Sequence, residues 1–182
     1  MKLGLRLFAA AVLTLALAAP GQALTITPST LPQLTGNDPS QAVINAVIGP
    51  IIGPATLLYK AEPGSPVAEE GALSGSYNTV FSLTALDPMD ATITYVAGRY
   101  VGPVSWALVK DGNSTPAWYL FNLTALGWDG TETLNFQGFW PANGAISHVA
   151  LYGGSAVPDG GSAVMLLGAA LVGLAGLRRF MK

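Results

Sequence analysis

Uncharged apolar runs mark both ends of the chain, and short apolar segments broken by turn residues fill the middle. Residues 7–19 and 160–177 carry no charged side chain at all. The first central segment begins Asp38-Pro39-Ser40-Gln41 and continues through Ala42-Val43-Ile44-Asn45-Ala46-Val47-Ile48-Gly49. Asp38 suits a capping position, Pro39 the first helical position, and Gln41 completes a capping-box-like pattern. Gly49-Pro50 is a stop signal. The spacing predicts a short helix over 39–48, with a strand as the competing reading because Val43, Ile44, Val47 and Ile48 are β-branched.

Beyond that helix the pattern shortens. Residues 56–60, 77–83, 91–97, 104–110, 117–123, 131–137 and 145–152 read as strands rich in β-branched and aromatic side chains. Asp87-Pro88, Gly102-Pro103, Asp111-Gly112-Asn113, Trp128-Asp129-Gly130 and Asn143-Gly144 separate them as turns. Residues 24–36 are polar and proline-bearing, an extended lead-in, and 61–75 is a loop. Short strands at this spacing predict a mainly β fold, an antiparallel β-sandwich of jelly-roll-like type over 37–153 with one short N-terminal helix.

Composition sharpens the division into parts. A length of 182 residues suits one domain with appendages. The mean hydropathy of +0.46 is high for a soluble chain, but the excess lies in the terminal runs. Five of the eight basic residues are terminal (Lys2, Arg6, Arg178, Arg179 and Lys182), leaving Lys60, Arg99 and Lys110 against nine acids in 24–153, a formal balance of −6. So acidic a body, without a basic stripe, argues against nucleic acid as a partner. With no cysteine in the chain, disulfides, thiolate nucleophiles and cysteine-based metal sites are excluded. About 130 central residues are enough to bury a core without such staples.

The ends read as transport segments. Lys2 and Arg6 form a positive start, 7–19 an apolar stretch too short to span a bilayer, and Pro20 a break before Gly21-Gln22-Ala23. This predicts a signal peptide over 1–23 cut after Ala23, with a cut after Ala18 as the alternative. At the other end, 160–177 is just long enough to cross a bilayer as a helix, and Arg178 and Arg179 follow as a cytoplasmic basic stop. Immediately before it, Val157-Pro158-Asp159-Gly160-Gly161-Ser162 has the proline and glycines of an extended, accessible stretch.

That order of parts resembles the PEP-CTERM family of exosortase substrates, in which a Val-Pro-acidic motif precedes a short Gly/Leu/Ala-rich helix and an arginine cluster. Here the motif is 157–162, the helix 162–177 and the basic end 178–182, together a sorting tail over 154–182; Val157-Pro158-Asp159 places it with the Val-Pro-Asp variants. The resemblance implies export by the secretion machinery, a transient stay in the inner membrane, cutting by an exosortase-like transpeptidase, and release to the cell surface or extracellular matrix. A plain C-terminal membrane anchor is the alternative. Asn37-Asp38-Pro39, Leu58-Tyr59-Lys60, Val109-Lys110-Asp111-Gly112-Asn113, Ala117-Trp118-Tyr119-Leu120-Phe121 and 146–153 also resemble an ectodomain recurrent in that family, which supports the fold more than an activity.

Candidate chemistry in the body is sparse. His148 is the single histidine. Period two puts it with Ile146 and Tyr152 on the face opposite Val149 and Leu151, and no nucleophile-elbow motif accompanies any serine. Asp87, Asp90, Asp111 and Asp129 sit at turns, where aspartate commonly bonds its own backbone, without an EF-hand pattern; two such carboxylates are also the minimum for a glycosidase, but these are far apart in sequence. Trp106, Trp118, Trp128 and Trp140 fit a core, while the turn-like settings of Trp128 and Trp140 allow stacking on sugar rings. The reading is therefore a non-enzymatic surface or matrix protein with no catalytic residue, metal or cofactor. The alternative is a carbohydrate-binding module associated with exopolysaccharide.

Overall fold

The computed structural model describes residues 23–31, 34–82, 88–111, 114–141, 144–154 and 156–158, together with 167, 168 and 171. In chain order the described elements are β1 (Leu24–Ile26), β2 (Leu34–Gly36), α1 (Gln41–Ile52), β3 (Thr56–Glu62), β4 (Ala68–Glu70), β5 (Tyr77–Ser82) and β6 (Asp90–Tyr95). They continue with β7 (Arg99–Val101), β8 (Ser105–Lys110), β9 (Trp118–Asn122), β10 (Leu134–Phe136), β11 (His148–Gly153) and β12 (Ala156–Pro158). Four strands form one sheet in the order β1-β10-β6-β5, six form another in the order β2-β9-β8-β11-β3-β4, and β12 pairs with β7 alone. Every pairing is antiparallel except β1 with β10. The fold is mainly β, a sandwich with one helix.

Alternation along the strands builds two cores. Tyr59, Ala61, Ala107, Val109, Phe121, Val149 and Leu151 turn one face of the six-stranded sheet toward Ile26, Tyr77, Ala91, Ile93, Leu134 and Phe136 of the four-stranded sheet. Their neighbours Trp106, Leu108, Trp118, Leu120, Ala150 and Tyr152 point the other way, where Ile44, Ile48 and Ile52 of α1 cover them. The isoleucines recur every fourth residue and so form one stripe along the helix. Covered on both faces, β8 and β11 are buried nearly throughout, which is why they read as apolar runs.

The helix differs from its expected 39–48 span at both ends. Ser40 is the capping residue but makes no side-chain cap bond, while Asp38 accepts the Ser40 N–H at 2.8 Å. Gln41 reaches forward to Asn45 instead of back to a cap (Nε2 to Oδ1, 2.8 Å). Gly49-Pro50 does not stop the helix; the second Gly-Pro, Gly53-Pro54, does. Pro50 lies in the last turn, where its missing N–H removes one bond while Ile48 and Ile52 keep the turn packed on the sheet. Gly53, at φ +59°, returns its N–H to Gly49 O at 3.0 Å.

The expected lead-in 24–36 is extended but belongs to the sandwich. It supplies β1 to the edge of one sheet and β2 to the edge of the other, and Ile26 is fully buried. At β2, Gly36 leaves room for the Trp118 ring, into which any Cβ would run. The loop 61–75 contains β4 and the buried Leu73. Residues 1–22 of the expected signal peptide lie outside the described residues, as does the expected 162–177 helix except for 167, 168 and 171, which are helical, with Leu167 and Leu171 exposed. Among the described residues no helix is long and apolar enough to cross a membrane.

One polar clip joins the two sheets. The Tyr59 hydroxyl on β3 donates to Glu69 Oε1 on β4 at 2.6 Å and lies 2.6 Å from Thr79 Oγ1 on β5, whose N–H reaches the same Glu69 oxygen at 3.0 Å. Burial, with the Glu69 hydrogen bond, pushes the Tyr59 hydroxyl well above the usual phenol range. Replacing Tyr59 by Phe is expected to lower the free energy of unfolding by about 1–2 kcal/mol, read from urea denaturation, because a buried bond between the sheets is lost.

Candidate functional site

The described surface is indented where α1 crosses the six-stranded sheet. A groove of about 450 Å³ runs there, with Gln41 and Asn45 on the helix side, Lys60, Glu70 and His148 on the sheet side, and Ile48, Ile52 and Tyr152 in its floor. The four-residue helical repeat puts Gln41, Asn45 and Ile48 on the groove side. Lys60 bridges Glu62 at 2.6 Å and Glu70 at 2.8 Å. Burial works against its charge, but the hydrogen bonds to both glutamates outweigh this and raise the Lys60 pKa, while the same contact with Lys60 lowers that of Glu62. Lys60 is thus a neutralised cation rather than a free one.

His148 lies where period two placed it, on the Tyr152 side of β11, yet that side is covered rather than solvated. Ile146 departs from the expectation: it precedes the strand, donates its N–H to Pro88 O at 2.7 Å, and packs between the sheets. Burial and the positive charges of Lys110 and Lys60 depress the His148 pKa to about 4, and Glu62 and Glu70 only partly oppose them. The imidazole is neutral at pH 7. Tyr152 is shifted upward by burial, with Gln41 hydrogen-bonding its hydroxyl in partial opposition.

The candidate stacking platforms are not on the surface. Trp128 is 4% exposed and Trp140 8%, and both belong to the core between the sheets. Their indole N–H groups donate to Glu132 O and Pro116 O, each at 2.7 Å. A buried indole has no free face for a sugar ring, so the structure corrects the stacking reading of this pair. What sequence missed is that their turns fold inward, because Phe139 and Trp140 pack on Tyr119 of β9 at ring separations of 5.4 and 5.5 Å.

Asp129 serves its own loop, and Asp90 a distant one. Asp129 Oδ1 accepts the N–H groups of Thr131 (2.7 Å) and Glu132 (2.9 Å) and the Thr131 hydroxyl (2.9 Å). Burial opposes its charge, but these donors prevail and lower its pKa. Asp90 Oδ1 accepts the Gly138 N–H at 2.7 Å. Asp87 lies outside the described residues. Among the described residues no three His, Asp or Glu side chains gather as a metal set would require.

The start of the sorting motif lies on the body itself. β12 carries Val157 and Pro158 and runs antiparallel to β7, with Ala156 opposite Val101, Val157 opposite Tyr100 and Pro158 opposite Arg99. Asp159, Gly160, Gly161 and Ser162, the rest of the expected motif, and the expected basic stop at Arg178 and Arg179 lie outside the described residues. Ala23, the expected signal cleavage position, is the first described residue and directly precedes β1.

The family model of the VPDSG-CTERM motif matches residues 156–181. The tail is thus similar to a variant of the PEP-CTERM sorting motif, which implies an exported, surface-sorted protein and processing by an exosortase-like enzyme. No curated protein and no solved structure matches the chain.

Proposed function

We propose that this protein is a cell-surface or extracellular-matrix component whose ectodomain is non-enzymatic. In this reading residues 1–23 direct export, the helix 162–177 holds the chain in the inner membrane with Arg178 and Arg179 inside, and an exosortase-like transpeptidase cuts at the motif. The observation that carries it is the motif match at 156–181, which begins in β12, the last described strand. The neutral His148 supports a body without catalysis: a general base works best with a pKa near the operating pH, and this imidazole is held near 4. The chain has no cysteine to offer as a nucleophile in its place. An exopolysaccharide partner draws no support from the two buried indoles.

Intact mass of the mature protein tests the reading. The expected species begins at Leu24 and lacks the basic end and the apolar run before it. A mature chain that keeps Arg178 and Arg179 would point to a plain membrane anchor instead.

A further inference from the structure

The hydrogen-bond directions at β7 determine how the motif is held. Val101 donates its N–H to the Tyr77 hydroxyl at 2.9 Å, and that hydroxyl in turn donates to Gly130 O at 2.7 Å. Tyr77 belongs to the four-stranded sheet, so the Val101 N–H is turned away from β12. Backbone groups of successive strand residues face opposite edges. Tyr100 is therefore the β7 residue that exchanges bonds with β12, and its partner is Val157. Pro158, opposite Arg99, falls at a position that needs no N–H for the ladder, which is where an antiparallel pair admits proline.

The two partners are unequally anchored. β7 is fixed from behind: Val101 is fully buried, and the Tyr100 ring lies edge-on to Tyr95 at 6.1 Å. Gly130, at φ +96°, lets the 128–132 turn close against β7, since a Cβ there would strike Val101 O and the Tyr100 ring. β12 has three residues and pairs with β7 alone, whereas β11 before it is held between β8 and β3. Among the described strands, β7 is the one pairing that β12 must give up to leave. While paired, β7 occupies one backbone edge of the motif peptide, an edge for which any enzyme that binds an extended peptide by strand addition would compete.

We infer that β7 is a docking strand for the sorting motif, and that the motif becomes a substrate only after β12 has left it. This rests on the sorting reading above. The ectodomain then sets the rate at which its own tail is cut, and a chain whose body has not folded offers the motif at once.

A reversible lock tests this in cells that carry out the processing. Ala156 and Val101 are directly opposed, at a separation that antiparallel pairing makes compatible with a disulfide, and Ala156 lies outside the Val157–Ser162 motif. In the otherwise cysteine-free full-length chain, V101C/A156C is expected to accumulate as precursor when oxidised and to be cut after reduction, with both single variants cut like the wild type. Tyr100→Pro, which removes a ladder donor and the ring that braces β7 without touching the motif, is expected to speed cutting at least about fivefold, the equivalent of one net hydrogen bond being the lower bound. Oxidised V101C/A156C, verified as cross-linked by mass and cut as fast as the wild type, overturns the docking proposal and leaves sorting standing. A Tyr100→Pro rate equal to wild type also overturns it. A wild-type chain that is never cut overturns the sorting reading and the docking proposal with it.

Discussion

Replacing Phe139 by alanine is expected to lower the free energy of unfolding by about 3–5 kcal/mol, the range for deleting a buried aromatic ring. Phe139 belongs to no strand, yet it is fully buried and joins the aromatic side chains at one end of the sandwich. Its ring centroid lies 5.4 Å from Tyr119, 5.5 Å from Trp140, 6.1 Å from Phe121 and 6.3 Å from Phe136. Those partners come from β9, from β10 and from the adjacent loop, so removing the ring opens a void bordered by both sheets. The void cannot close cheaply, because the Phe139 N–H is held by Met89 O at 3.0 Å and the Trp140 indole by Pro116 O. Urea denaturation of the mature protein reads the loss. A change below about 1 kcal/mol would mean that the loop collapses into the space and that the cluster is no hub.

Phe139 also shows where sequence reading stops. β-branched and aromatic runs between turn signals located the strands that became β3, β5, β6, β8, β9, β10 and β11, while period two assigned the faces of β11. It separated Val149 and Leu151 from His148 and Tyr152 correctly. It could not tell that both faces of β11 are covered, since covering depends on where α1 lands, and that is a long-range fact. β1, β2, β4, β7 and β12 were missed because three residues are too few to display a period; β10, equally short, was found inside the longer run 131–137. Each is specified by its partner: β1 exists because Ile26 fills a place beside Phe136, not because Leu24-Thr25-Ile26 favours a strand.

The two kinds of candidate site were unequally legible for a related reason. A sorting motif is read by its enzyme as linear sequence, so Val157-Pro158-Asp159 and the charge pattern behind it carry the signal without tertiary information. A binding surface made of indoles depends on which face is left open, and nothing local to Trp128 or Trp140 encodes that. The Gly-Pro repeat at 49–50 and 53–54 falls between these cases. Both dipeptides carry the same stop signal, and packing of Ile48 and Ile52 selects the second.

Acid should weaken the fold through His148. In the native state burial, Lys110 and Lys60 hold the imidazole pKa near 4, against an ordinary value of 6.5, while Glu62 and Glu70 pull the other way without prevailing. Between those two values the unfolded chain binds a proton at this position and the native chain does not, so falling pH favours unfolding. The stability contributed by the neutral imidazole is complete above about pH 6.5 and is lost progressively toward pH 4, up to about 3 kcal/mol. Glu62, whose pKa Lys60 lowers, acts in the same direction but only below the usual carboxylate range, so it does not account for the upper part of the window. His148→Gln is expected to flatten the dependence of the urea midpoint on pH between about 6.5 and 4.5 while the wild type declines steadily across it. Equal slopes in the two proteins would place the responsible proton elsewhere. A wild type that becomes more stable as pH falls, where the variant does not, would mean that the imidazole is charged in the native state, and so that the α1 side of β11 is wetter than its packing indicates.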